Sequence, residues 1–199
     1  MKQTRSGSRK KSLLVTIIAG VLLAFPAFAG NEKSVPDRIK ETLFNMISDQ
    51  IPGCCFLDLF SGSGAIGIEA LSRGASEAVF VEQNRAAVNV IRDNLSKTGL
   101  EADARVMQTD CRQAIALLEK EGRRFDIIFM DPPYDRQLEH DILEYLRKSS
   151  IADEDTLIIT EASLKTPFSY LEEMEYQLIK TKKYKTNMHV FVRKIQEQK

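Results

Sequence analysis

Cys54-Cys55-Phe56-Leu57-Asp58-Leu59-Phe60, followed at once by Ser61-Gly62-Ser63-Gly64-Ala65-Ile66-Gly67, decides how this chain folds. The first seven residues are an apolar run with one acid near its end, the pattern of a strand buried on both faces of a parallel sheet. From Gly62 to Gly67 the chain fits G-x-G-x-x-G, in which glycine permits a tight turn and close approach of a ligand to the backbone. A helix then opens through Ile68, Ala70 and Leu71 and stops at Arg73-Gly74.

Outward from this unit the alternation continues. Before it, Asp37 reads as the cap of a helix with Ile39, Leu43, Phe44, Met46 and Ile47 on one face, ended by Ile51-Pro52-Gly53. Asn31 to Pro36 reads as a linker. After it, strands are expected over 78–82, 104–108, 125–130 and 156–160, with helices over 85–97 (capped by Asn84), 112–121 and 138–148 between them. A short helix is expected over 168–173, and 176–185 with 188–194 suggest an antiparallel hairpin around Thr186-Asn187. Strand and helix alternating this often mean an α/β fold built on a doubly wound sheet.

The apolar content of 43% suits a single globular core, and 28 bases balance 28 acids. The balance is uneven: Lys2, Arg5, Arg9, Lys10 and Lys11 stand in the first 29 residues without an acid, leaving 23 bases to 28 acids in the body. A nucleic-acid partner would need a local basic patch, for which Lys180 to Lys185 and Arg123-Arg124 are the candidates. Three cysteines are too few for a disulfide framework, and His140 and His189 are isolated, so no metal site is assigned. At the N-terminus, basic residues to Lys11, an apolar run from Leu13 to Phe25 and Ala27-Phe28-Ala29 before Gly30 have the form of a secretory signal or anchor. Val15, Thr16, Ile17 and Ile18 also suit a β-strand.

In an open parallel sheet, ligands bind beyond the carboxyl ends of the strands. Asp58, Glu82, Asp110 and Asp131 each follow one of four successive strands. Glu82, fifteen residues after Gly67, is placed to accept the ribose hydroxyls of a nucleoside. This fits a nucleoside cofactor without separating NAD from S-adenosylmethionine. Asp110 can take an exocyclic adenine amine or cap the following helix. Asp131-Pro132-Pro133-Tyr134 decides between the cofactors. Its two prolines make a stiff loop that leaves carbonyls unpaired. The Asp131 carboxylate and the Pro132 carbonyl can hold both hydrogens of an aromatic amine so that its lone pair faces a methyl donor, while Tyr134 stacks on the ring.

These residues resemble a known family. Asp58-Leu59-Phe60-Ser61-Gly62-Ser63-Gly64, Glu82-Gln83-Asn84, Asp131-Pro132-Pro133-Tyr134 and the leading stretch Asp37 to Asn45 are similar to the bacterial 16S rRNA guanine-N2 methyltransferases of the guanine-966 type. The resemblance runs from about Pro36 to Lys194. It implies a class I methyltransferase fold with a mostly parallel, seven-stranded sheet whose last strand is antiparallel, and S-adenosylmethionine as cofactor. The implied cofactor residues are Asp58, Ser61, Gly62 and Gly64 for the methionine part, Glu82 with Gln83 for the ribose, and Asp110 and Cys111 for adenine. Asp131 to Tyr134 carry catalysis. The implied substrate is a guanine amine of 16S rRNA, on the small subunit or an assembly intermediate, with Arg38, Lys182, Lys183 and Lys185 as RNA-binding candidates. Family members open with a basic hairpin and an Arg-Pro-Thr segment, where this chain has apolar residues 21–29 and Lys33-Ser34-Val35-Pro36.

Residues 1–35 are accordingly expected to be an N-terminal extension and 36–199 the methyltransferase domain, acting as a monomer without a membrane. Donor and substrate are both cytoplasmic, which favours that compartment over anchoring through residues 13–29. The competing readings are an adenine-N6 or cytosine-N4 DNA methyltransferase, since the same loop serves any exocyclic amine, and a nucleotide-binding or RNA-binding module without catalysis.

Overall fold

A computed structural model describes residues 35–133 and 138–196; the apolar segment 13–29 and Tyr134 lie outside the described residues. Seven strands form one sheet: β1 (Cys55–Asp58), β2 (Glu77–Val81), β3 (Ala104–Met107), β4 (Ile127–Met130), β5 (Leu157–Ser163), β6 (Tyr176–Lys183) and β7 (Asn187–Lys194). Among the described residues, five α-helices accompany them: α1 (Val35–Met46), α2 (Ala65–Ser72), α3 (Arg85–Thr98), α4 (Cys111–Lys120) and α5 (Leu138–Lys148). The spatial order is β3-β2-β1-β4-β5-β7-β6. Strands β1 to β5 pair in parallel, and β7 runs antiparallel to both β5 and β6. The expected doubly wound sheet with a reversed last strand is therefore what the chain forms.

Successive side chains of a strand point to opposite faces, so each strand feeds two cores. Leu57, Val79, Ile128 and Ile158 pack with Ile115 and Leu118 of α4 and Ile142, Leu143 and Leu146 of α5. Phe56, Phe80, Ile127, Phe129 and Ile159 pack with Leu43, Phe44 and Ile47 of α1, Ile68 of α2, and Ile91 and Leu95 of α3. The unbroken apolar strands are explained by this burial on both faces.

Several local expectations are corrected. Asp37 is not the cap of α1. The helix begins at Val35, with Pro36 and Asp37 in its first turn, where a proline's missing N–H costs nothing. Leu59 and Phe60 lie past the end of β1, and Phe125 and Asp126 precede β4. Asp126 instead anchors the sheet, its Oδ2 accepting from the Cys55 amide at 2.7 Å. Residues 168–173 are not a helix but successive turns, leading to Glu175 at φ 59. β5 runs three residues further than expected, to Ser163, because β7 pairs alongside it as far as Asn187. Cys54 is buried as expected, whereas Cys55 is only partly so.

Candidate active site

Strand order reverses between β1 and β4: β2 and β3 lie to one side, β5 onward to the other. That boundary opens a crevice at the carboxyl ends of the strands. Asp58 ends β1 on one lip, and Asp131 follows β4 on the other. The strand order also arrays the acids spatially as Asp110, Glu82, Asp58 and Asp131.

Asp58 is 1% exposed, and neither carboxylate oxygen has a hydrogen-bond partner among the described residues. Burial first, then the charges of Asp131 and Glu82, push its pKa up to about 7. The amides of Gly67 and Phe60 act in the opposite sense without reaching hydrogen-bond geometry. A buried carboxylate without donors is costly, so the site is built to receive a cation or a donor at this point.

The glycine loop is fixed around Asp58. Ser61 Oγ donates to the Asp58 carbonyl at 2.9 Å, and the Ser61 amide donates to the Val81 carbonyl at 3.0 Å. Gly64 holds φ 79 at the start of α2, a conformation L side chains rarely adopt. A Cβ on Gly67 would lie 2.3 Å from the Phe80 ring, so glycine there lets α2 press onto β2. Glu82 binds the loop to the end of its own strand: Oε2 accepts from the Gly62 amide at 3.0 Å and Oε1 from the Asn84 amide at 2.8 Å. Each oxygen keeps a second acceptor position for a ligand hydroxyl. Gln83 is exposed beside it. Asp110 caps α4, with Oδ1 accepting from Arg112 and Gln113, both at 3.0 Å. Cys111 opens that helix half-buried, its thiol pKa raised by burial and by Asp110.

Across the crevice, Pro132 is buried while Asp131 and Pro133 reach solvent. Asp131 is exposed by area, yet the protein around it and then the Glu161 charge push its pKa up, to about 7. Solvent contact moderates that rise, and the neighbouring carboxylate fixes its direction. Glu161, on β5, belongs to a side-chain network. Asn187 Nδ2 donates to its Oε1, His189 Nε2 lies 3.0 Å from its Oε2, and Tyr184 Oη lies 3.2 Å from His189 Nδ1. Burial and Glu161 push the Tyr184 pKa up to about 12, which keeps its hydroxyl a donor.

The model of the family described as "Conserved hypothetical protein 95" matches residues 21–193, most of the chain. Over 163 residues the chain is 33% identical to "Ribosomal RNA small subunit methyltransferase D" of Escherichia coli (strain K12), covering 82% of this chain and 80% of that protein. The chain belongs to this family. It is also 37% identical over 136 residues to "Putative rRNA methyltransferase YlbH" of Bacillus subtilis (strain 168), covering 68% of this chain and 74% of the relative. Among solved structures, a conserved hypothetical protein of Streptococcus pyogenes superposes with TM-score 0.71 at 32% identity, covering 78% of this chain and 94% of the other.

The crevice gathers Asp58, Ser61, Gly62, Gly64, Glu82 and Asp131, and Pro132 and Pro133 follow directly. The basic candidates divide. β6 runs in the same direction as β1 to β5, so Lys182 and Lys183 at its end, and Lys185 in the turn, stand on the same edge of the sheet as Asp131. Lys182 Nζ sits 6.0 Å from the centre of the Tyr184 ring. Lys40 pairs with Glu69 at 3.6 Å and Arg73 lies over Phe44, so α1 runs alongside α2 in the same direction. This puts exposed Arg38, in the first turn of α1, towards that edge as well. Arg123-Arg124 is corrected: the pair precedes β4, at the opposite edge of the sheet, where Arg123 is paired with Glu77 and Arg124 with Asp153. Its charge is already neutralised, and it faces away from the crevice. Glu161, His189, Asn187 and Tyr184 were not anticipated. One signal was available for Glu161, an acid directly after the apolar run of a fifth strand.

Proposed function

We propose that this protein transfers a methyl group from S-adenosylmethionine to the exocyclic N2 amine of a guanine in small-subunit ribosomal RNA. The observation that carries this reading is the pair of carboxylates on opposite lips of the switch-point crevice. Asp58 is buried without donors among the described residues on the cofactor side, and Asp131 leads a stiff Pro-Pro segment on the substrate side.

The residues fit the cofactor. The ammonium of its methionine part supplies the cationic donor that Asp58 lacks, the glycine loop lets that part approach the backbone, Glu82 accepts ribose hydroxyls, and Asp110 and Cys111 border the adenine. When bound, S-adenosylmethionine supplies an electrophilic methyl group on a sulfonium. The chain's own part is to hold the acceptor. A guanine amine is a poor nucleophile because its lone pair is delocalised into the ring. The Asp131 carboxylate would accept a hydrogen bond from one amine hydrogen and the Pro132 carbonyl from the other, which would turn the lone pair towards the methyl donor. The proton that the amine must lose has a nearby acceptor in Asp131, whose proton affinity is raised. No covalent enzyme intermediate is required. The RNA guanine is turned out of its stack to enter the crevice. Arg38, Lys182, Lys183 and Lys185 contact its phosphates from the same edge. Donor and ribosomal RNA place the reaction in the cytoplasm, and among the described residues no helix is long and apolar enough to cross a membrane.

The test is to incubate the purified protein with methyl-labelled cofactor and 30S particles, naked 16S rRNA or DNA, and to map the labelled base. Label on a guanine N2 of the small-subunit RNA is the expected result. Label on adenine or cytosine of DNA would replace this reading with the DNA methyltransferase, and cofactor binding without transfer to any of the three would replace it with a binding module.

A further inference from the structure

The turn at the heart of the glycine loop does not fix its own shape. The Gly64 amide donates to the Ser61 carbonyl at 2.6 Å, which closes Ser61-Gly62-Ser63-Gly64 into a four-residue turn with Gly62 at φ 52. Glycine takes either sign of φ about as readily, so these four residues can close with Gly62 turned either way. The choice is made from outside the turn. Two side chains reach its apex: Glu82 Oε2 accepts from the Gly62 amide at 3.0 Å, and Asn94 Nδ2, on α3, donates to the Ser63 carbonyl at 3.0 Å.

Between these two anchors lies one peptide group, the Gly62 carbonyl with the Ser63 amide, which has no hydrogen-bond partner among the described residues. Gly62 and Ser63 are both exposed. The loop therefore keeps one acceptor and one donor for a ligand. Helix preference does not account for Asn94, because asparagine in mid-helix is a weaker helix former than alanine, and its neighbours Ile91 and Leu95 are core residues. Ile91 closes the same side of the loop: a Cβ on Gly64 would lie 3.2 Å from its Cγ2. Ile91 and Asn94, three residues apart and hence on one face of α3, hold the loop together.

We infer that Asn94 is a positioning residue for the cofactor: with Glu82 it holds the apex of the glycine loop in the conformation that presents the Gly62–Ser63 peptide to the amino-acid part of S-adenosylmethionine. This rests on the methyl-transfer reading above, and within it only on the cofactor. Glu82 has two tasks there, accepting ribose hydroxyls and anchoring the loop. The Asn94 side chain bonds only the loop among the described residues. Its loss is accordingly felt by the amino-acid part of the cofactor and not by the nucleoside.

The experiment uses the full-length protein with S-adenosylhomocysteine and methylthioadenosine, which share adenine and ribose while only the first carries an amino-acid part. Asn94→Ala is expected to raise the S-adenosylhomocysteine Kd by about fivefold to tenfold, the effect of one hydrogen bond, and to leave the methylthioadenosine Kd within about twofold. In methyl transfer to 30S particles, the cofactor KM is expected to rise by the same factor, with kcat and the KM for the particles within about twofold. Asn94→Asp keeps the shape of the side chain but sets an acceptor against the Ser63 carbonyl. It is expected to weaken S-adenosylhomocysteine at least as much, and it carries the test if Asn94→Ala does not fold. Equal weakening of both ligands, no weakening of either, or a fall in kcat at unchanged cofactor KM would overturn the inference and leave methyl transfer to guanine intact. A wild-type protein that binds neither ligand would overturn the functional reading and this inference together.

Discussion

On the β3-β2-β1 side of the switch point, carboxylates are held by backbone amides: Glu82 by Gly62 of the glycine loop and by Asn84, Asp110 by Arg112 and Gln113 in the first turn of α4. On the β4-β5-β7-β6 side, Glu161 is held by side chains 26 and 28 residues away in sequence. The first arrangement suits a cofactor of fixed structure, because amides at the start of a helix are positioned by the fold whatever the side chains are. The second arrangement exists only because strand register brings distant residues together. Asp58 belongs to neither pattern. It sits between them with no donor among the described residues.

This contrast can be broken at graded points. Asp131→Ala should have the largest effect, lowering the methyl-transfer rate by about 10³-fold while the cofactor Kd by calorimetry stays within about threefold. A weakened Kd with a normal rate would place Asp131 on the wrong side of the crevice. Asp58→Asn should do the reverse, weakening cofactor binding by about 10²-fold through loss of the buried charge. The same substitution should stabilise the cofactor-free protein. Because the folded pKa of Asp58 is raised from 3.8 to about 7, the folded state retains a proton that the unfolded chain releases. Stability from this group is complete below about pH 4 and is lost as pH rises through 7. The advantage of Asp58→Asn over wild type in urea unfolding should therefore grow by roughly 2–3 kcal/mol between pH 5 and pH 8. An advantage independent of pH would show that Asp58 is not protonated in the fold.

Smaller effects probe the cofactor side. Gly67→Ala drives a methyl group against the Phe80 ring and should cost about 1–3 kcal/mol in thermal or urea unfolding, with a matching loss of cofactor affinity as α2 is displaced. Asn84→Ala removes the cap that accepts from Ala86 and Ala87 and should cost about 1 kcal/mol with little change in transfer rate. If Asn84→Ala were to abolish transfer instead, the cofactor loop would depend on α3 far more than its own amide bonds imply.

Legibility followed the same division. Asn84 and Asp110 were readable as caps because donor and acceptor lie two or three residues apart. Arg123-Arg124 was misread because a charge run does not reveal its partners, and Glu77 stands 46 residues away. The turns at 168–173 were misread because helix-compatible residues there are held by tertiary contacts of Leu171 and Met174 with the core. Residues 1–35 and Tyr134, on which the extension and the stacking role depend, lie outside or at the margin of the described residues.

The sequence by itself determined the alternation of buried strands and amphipathic helices, the glycine loop, and an acid after each of four strands. Apolar period, glycine and helix caps act over a few residues and so are written locally. Only the tertiary structure decided that β4 lies against β1, that Asp58 is left without a donor among the described residues, and that Glu161, Asn187, His189 and Tyr184 meet beside Asp131. Those relations depend on strand order and register, which bring together residues far apart in the chain.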